Sequence, residues 1–344
     1  MKPKGTKDMN IKGLFDEEYE GFCYQNCIRM ILKYYRVSSY NFYINMSLST
    51  KMTIYDGAYK ISYDKGAYGI IPSCRDKVLR QDDGRSTDDI LKENLQYIKD
   101  GYPIINCVDG YYLDYFPYYE KKHCRHNLIL TGESLQKDYV TVLDWYTPHF
   151  YQGKVNKKNY FAARSSENPY DGSIYSGSAI RNNWAIILRE DWDKSVLELV
   201  AELVELSLEQ YYFAESQIDC KYGVEVYRTL AKELEDIYHK EVMERKEALK
   251  YMHQELYGTV KRKKFFLYFL TLIIQMNLFQ ESIKNAYENM KGLVNCWERY
   301  LTMLLKVSFR GKESEITILE NMLKDIIVYE EKFCDCLMKM KREI

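Results

Sequence analysis

Residues 21–35 read GFCYQNCIRMILKYY. Cys27, Met30, Ile31 and Tyr34 recur at the spacing of one helical face, the expected dry stripe, with Gln25, Arg29, Lys33 and Arg36 as the expected wet stripe. The run therefore predicts an amphipathic helix over 23–36. Cys23 stands in its first turn, where N–H groups without intrahelical partners and the helix dipole favour a thiolate.

Working outward, a second helix is predicted over 87–99. Ser86 or Thr87 caps it, Asp88 and Asp89 suit its first turn, and Gly101 ends it. Short apolar runs then read as strands: PIINCV (103–108), NLILT (127–131), YVTVLD (139–144) and WAIILR (184–189). A helix followed by a mostly antiparallel sheet is an α+β domain.

All six prolines, and 13 of the 17 glycines, precede residue 193. Proline is expelled from helix interiors and glycine is disfavoured there, so the shift marks a boundary. The expected organisation is a flexible N-terminus over 1–13, an α+β domain over 14–192 and an all-α helical domain over 193–344. The last reads as helices near 193–213, 222–240, 241–257, 263–290, 293–307 and 314–341. Leu197, Val200, Leu203, Val204 and Leu208 follow one face of the first of these. Lys261, Arg262, Lys263 and Lys264 form a basic run, read as a solvated helix start.

With 344 residues the chain suits two domains, and 46% hydrophobic residues can fill their cores. Against 50 acidic residues stand 49 Lys and Arg, a net charge of −1, which removes the broad basic field of a nucleic-acid binder. Nine cysteines, none in a CxxC spacing, and an N-terminal MKPKGTKDMNIKG without the apolar run of a signal peptide point to a reduced, cytoplasmic protein. FFLYFLTLIIQMNLF (265–279) falls short of the roughly 20 residues that span a bilayer and reads as a buried helix, so no membrane partner is expected.

No GxSxG, GxxxxGK[ST], GxGxxG or HExxH motif occurs, and the chain holds five histidines. Three stretches can carry chemistry. One is the helix led by Cys23. The second is KKHCRHNLILTG (121–132), with His126 directly before an apolar strand. The third is YVTVLDWYTP (139–148), with Asp144 at a strand end. Neighbouring antiparallel strands bring such ends together. A cysteine, a histidine and an acid so placed form a Cys-His-Asp constellation, in which imidazole takes the thiol proton and carboxylate fixes the imidazole tautomer. Singly, Cys23 also reads as a small buried apolar residue, His126 as a core histidine and Asp144 as a turn cap.

CYQNCIRMILKYY resembles the nucleophile helix of papain-like cysteine enzymes of the double-glycine leader peptidase type. There a cysteine precedes an MILKYYG-like run by seven residues, which selects Cys23 over Cys27. GYPIINCVDGYYLDYFPYYEKKHCRHNLILTG followed by YVTVLDWYTPHFYQGKV is closer to the family named after the N-terminal domain of the butirosin-biosynthesis acyltransferase. That family joins a GyPvi strand, a tyrosine-rich loop, an HxxH pair, an apolar strand and a strand ending in Asp. The resemblance spans residues 14–190. It implies a papain-like fold without cofactor, and transfer of an acyl group from an acyl carrier protein or peptidyl carrier domain to a small-molecule amine. Cys23, His126 and Asp144 would be the catalytic set, in antibiotic or peptide metabolism, with the helical domain covering the pocket or docking the carrier.

Two departures stand out. Leader peptidases place Gly after the nucleophile, where this chain has Tyr24. They also carry an upstream glutamine for the oxyanion, where residues 15–20 read FDEEYE. One such donor is worth about 3 kcal/mol of barrier. The Cys23 N–H, Gln25 or Asn26 are the expected substitutes. The same fold also admits hydrolysis of a peptide or amide, or binding without turnover. A metal site from His123, Cys124, His126 and Cys107 is disfavoured, because residues 123 and 126 on an extended segment point to opposite faces. His123 instead reads as shaping the pocket entrance or as a plain loop residue.

Tyrosine is abundant: 34 residues, against 13 Phe and 4 Trp. Six of them, Tyr102, Tyr111, Tyr112, Tyr115, Tyr118 and Tyr119, fall just before the two histidines. Rings with a polar tip suit a loop that lines a pocket, and Tyr111 and Tyr112 are the expected lining.

Overall fold

In the computed structural model of the protein, the cysteine-led run is a helix from Cys23 to Tyr34, α1. Residues 22–55, 58–62, 69–81, 85–132, 138–146, 149–172, 175–278 and 280–344 are described. The expected flexible segment 1–13 and the FDEEYE stretch lie outside them. After α1 come β1 (Lys51–Tyr55), β2 (Ala58–Ser62), β3 (Val78–Gln81), α2 (Thr87–Lys99), β4 (Ile104–Asp109) and β5 (Arg125–Gly132). Next are β6 (Tyr139–Tyr146), β7 (His149–Asn156), α3 (Lys157–Ser165), β8 (Trp184–Ile187) and α4 (Val196–Ser207). The chain continues with β9 (Cys220–Tyr222), α5 (Val224–Tyr238), α6 (Val242–Gln275), α7 (Gln280–Arg310) and α8 (Glu313–Glu343).

Two compact units divide the chain: Met1–Asn45 with Tyr68–Lys194, and Met46–Ala67 with Ser195–Ile344. The first is α+β. Its six strands run in the order β3-β8-β4-β5-β6-β7, every neighbouring pair antiparallel. Strand alternation sorts the side chains. Ile104, Val108, Leu128, Leu130, Val140 and Val142 form one core with Ile90, Leu91 and Leu95 of α2 and Tyr160 and Ala163 of α3. Their neighbours Ile105, Cys107, Ile129, Leu143 and Trp145, also buried, serve the opposite face. There α1 packs against β5 and β6, with the Arg29 guanidinium 5.2 Å from the Trp145 ring centre. Gln25 and Arg29, expected on the wet stripe, are buried, because their polar ends find Asn45 and Asn41. Both ends of α1 are pinned. Gln25 Nε2 donates to the Asn45 carbonyl (2.7 Å), and Tyr35 Oη donates to the Ile187 carbonyl (3.0 Å).

Ser86 caps α2 by accepting from the Asp89 N–H, as its sequence signature requires. The edge strand β7 and helix α3 were not evident from the apolar pattern.

The second unit takes in residues 46–67, which the sequence reading assigns to the first domain. The reason is non-local pairing. β1 lies between β2 and β9 in a three-stranded antiparallel sheet, with Lys51 opposite Tyr222. The Gly223 N–H donates to the Thr50 carbonyl (2.8 Å). Gly223 has φ +51°, and a Cβ there would overlap the Tyr211 carbonyl oxygen. From α5 to α8 the chain is a long all-helical stretch. Helices expected at 241–257, 263–290 and 293–307 are instead two, with the break at Asn277 (φ 56°) after α6. Gly258 and Gly292 sit inside helices, where tertiary packing offsets a penalty of about 1 kcal/mol each.

The basic run is not a solvated helix start either. It lies inside α6, with Arg262 and Lys263 buried. Lys263 Nζ meets Glu330 Oε1 of α8 at 2.6 Å, and both residues are buried. Trp297 Nε1 donates to Glu330 Oε1 (3.1 Å), Tyr212 Oη to Glu330 Oε2 (3.3 Å), and Lys263 Nζ to Tyr211 Oη (3.0 Å). A π-helical turn over Leu208–Tyr212 carries the two consecutive tyrosines into this network.

Among the described residues no helix is long and apolar enough to cross a membrane.

Candidate active site

Cys23 is the first residue of α1. Phe22, at the N-cap, makes no side-chain cap, so α1 begins with first-turn N–H groups that this residue leaves uncapped. Cys27, one turn on, points its Sγ at the Asn127 carbonyl (3.6 Å), which sets the start of α1 beside the start of β5. Residues 126 and 127 face opposite sides of the sheet. At the sheet's end, both side chains reach Cys23.

His126 and Asp144 are buried and joined by a 2.6 Å hydrogen bond between Nε2 and Oδ1. The His126 side chain also hydrogen-bonds Cys23. The structure thus brings Cys23, His126 and Asp144 into one chain of contacts. Asn127 adds a fourth member, its Nδ2 donating to Cys23 Sγ at 3.3 Å.

The electrostatics follow from these contacts. Burial alone would raise the Cys23 thiol; the hydrogen bond and charge of His126, with help from Asn127, more than offset this and bring it down to about 7. Burial alone would lower His126; the charge and hydrogen bond of Asp144, reinforced by Cys23, lift it to about 10. A thiolate facing an imidazolium is therefore favoured near neutral pH. Cys27 differs sharply: burial and the nearby charges of Cys23 and Asp144 push its thiol well above the usual range.

The tyrosine-rich loop covers the dyad, though not through the residues expected. Tyr115 Oη donates to Asp144 Oδ2 (2.8 Å), while its ring stacks on Tyr151 of β7, 3.7 Å between centres. Tyr151 pairs with Asp144 across β6 and β7. The Phe116 ring lies 4.8 Å from His126. Gly110 permits that placement, since a Cβ there would stand 2.6 Å from the Phe116 ring. Tyr111 instead stacks on His123 at 4.4 Å, and Tyr112 meets Tyr111 edge-on.

His123 belongs to a separate buried cluster. Its Nδ1 lies 2.7 Å from Asp109 Oδ2, a carboxylate that also accepts from Ser166 Oγ and from the N–H groups of Tyr111 and Cys124. This ties both ends of the loop to the end of β4. Gln25 accepts from the Phe22 N–H through Oε1 and donates to Asn45 through Nε2, so its amide is engaged in holding α1. Asn26 is fully buried. Among the described residues no group of three or more His, Cys, Asp or Glu is placed to hold a metal.

The sequence reading missed Asn127, Tyr115 and Phe116. For Tyr115 and Phe116 the signal was present, as both lie in the dense aromatic stretch. For Asn127 it was only adjacency to His126.

Residues 77–145 match the family model described as Butirosin biosynthesis protein H, N-terminal. This supports the resemblance drawn from the tyrosine-rich and histidine-bearing segments. The matched segment includes His126, Asn127, Asp144 and the tyrosine loop, and Cys23 lies outside it. No curated protein matches the chain.

Proposed function

We propose that this protein is a thiol acyltransferase that moves an acyl group from a carrier-protein thioester to a small-molecule amine, in antibiotic or peptide biosynthesis. The observation that carries the reading is the chain of contacts from Cys23 through His126 to Asp144. The Cys23 thiolate attacks the thioester carbonyl carbon and the C=O pair moves to oxygen. Collapse expels the carrier thiolate, which takes a proton from the His126 imidazolium. The amine then attacks acyl-Cys23, neutral His126 accepts the ammonium proton, and Cys23 leaves as thiolate. Asp144 keeps the ring in the orientation both steps need.

Intact-mass analysis after incubation with an acyl-loaded carrier or a short acyl thioester tests this. An adduct of one acyl group is expected, lost in Cys23→Ala and discharged by added amine. An adduct that persists in Cys23→Ala overturns the assignment.

Tyr115 gives a second expectation. A hydrogen bond to a charged group contributes about 1.5–3 kcal/mol. Tyr115→Phe should therefore lower kcat/KM for acyl transfer by up to about a hundredfold, with the melting temperature lowered by only a few degrees. Tyr111→Leu and Tyr112→Leu, whose rings meet His123 and each other, should have smaller effects. Steady-state kinetics on the three variants rank them.

A further inference from the structure

We propose that Asn127 is the oxyanion donor of this site, taking the place of the upstream glutamine absent from residues 1–22. The inference rests on the acyl-transfer reading above and deepens it. When a thiolate attacks a carbonyl, the negative charge develops on an oxygen attached to the carbon bonded to sulfur. A useful donor must sit close to the sulfur, on a rigid element, and about 2.7–3.1 Å from where that oxygen will be.

Asn127 meets the first two requirements directly. Its Nδ2 donates to Cys23 Sγ at 3.3 Å, so in the resting site it faces the sulfur. Its backbone is fixed on both sides: Asn127 pairs with Cys107 across β4 and β5, and its carbonyl accepts from Cys27 Sγ. The amide therefore needs no rearrangement to meet a charge that forms beside it. When Sγ becomes bonded to carbon it loses its charge, and the N–H is released to the new oxyanion one atom further on. The Cys23 N–H, a first-turn group of α1, supplies the second donor.

The other two amides near Cys23 are not placed to donate. Gln25 uses its Nε2 on the Asn45 carbonyl and its Oε1 on the Phe22 N–H. Asn26 has no exposed surface with which to meet a substrate. Asn127 is a positioned donor that is partly exposed.

Two probes of the full-length chain separate this role from mere support of the thiolate. p-Nitrophenyl acetate acetylates the sulfur: an S–C bond forms, the carbonyl pair passes through an oxyanion, and the C–O bond breaks to release p-nitrophenolate, which needs no proton. Iodoacetamide alkylates the same sulfur by displacing iodide, and no oxyanion forms. Both rates are read at pH 8.5, with the modified residue assigned as Cys23 by peptide mapping. In Asn127→Ala the acetylation rate should fall about 10²–10³-fold. Alkylation should stay within about threefold, because His126 still holds the thiolate. Asn127→Leu, which fills the same space without a donor, should behave alike, and Asn127→Gln should recover part of the acetylation rate.

If acetylation and alkylation fall in parallel in both variants, or if neither changes, the oxyanion role is overturned while the acyl-transfer reading stands. If the wild-type Cys23 is alkylated but not acetylated, the acyl-transfer reading itself fails and this inference with it.

Discussion

Replacing His126 with alanine is expected to cut acyl transfer by roughly 10⁴–10⁶-fold, the scale seen when one member of a cooperating nucleophile-base set is removed. Two losses coincide. Cys23 reverts to a thiol raised by burial, so little thiolate remains at neutral pH, and no group is left to carry the proton between leaving thiol and incoming amine. The pH profile exposes both. In the wild type the reactive form is thiolate with imidazolium. Activity should rise as Cys23 loses its proton through about 7 and fall as His126 loses its own through about 10. Between these limits the profile is flat, and each limb is steep only where one of the pair titrates. In His126→Ala the rising limb should move to higher pH and the falling limb should vanish. Asp144→Asn keeps the shape of the side chain and removes the charge that lifts His126, so its falling limb should shift below 10. The pH dependence of acyl transfer from pH 5 to 11 gives these curves, and iodoacetamide alkylation, which needs only the thiolate, reads the rising limb by itself. A rising limb that stays near 7 in His126→Ala would show that another group sets the Cys23 thiol.

What the sequence revealed follows the range of each interaction. The start of α1 and strands β4 to β6 are written locally, in apolar spacing and in Gly and Pro punctuation, and they lie where expected. The edge strand β7 has a single sheet neighbour, β6, and HFYQGKVN lacks the alternation that would mark it. β1 takes its second partner from residues 220–222, and no local pattern announces a pairing so far along the chain. The site divides the same way. Cys23, His126 and Asp144 could be singled out because residue type, helix start and strand ends restrict the choice. Asn127 could not: its side chain matters only because α1 is pinned at Asn45 and Ile187, which brings Cys23 against it. Density of tyrosine pointed to the correct loop, but which ring meets Asp144 depends on the 3.7 Å stack of Tyr115 on Tyr151.

The misread basic run leads to the second large effect, in the helical unit. Lys263→Met is expected to destabilise that unit by about 3–5 kcal/mol, because it leaves the Glu330 carboxylate buried without its cation. Trp297 and Tyr212 still donate to Glu330, but two neutral donors do not replace a charge at 2.6 Å. Glu330→Leu should be similarly harmful, stranding Lys263 among Tyr211 and Tyr227, whose rings it faces at 4.7 and 5.8 Å. Burial already holds the Lys263 ammonium below its usual range despite Glu330. The double variant Lys263→Met with Glu330→Leu should be far milder than the sum of the two, since replacing a whole buried pair by apolar groups is often nearly neutral. Hydrogen exchange read on peptides from α6 and α8 isolates this unit from the rest of the chain. Faster exchange in both single variants, with recovery in the double, is the expected pattern. Additive losses would mean that Lys263 and Glu330 act on stability independently, and that the ion pair does not organise the bundle core.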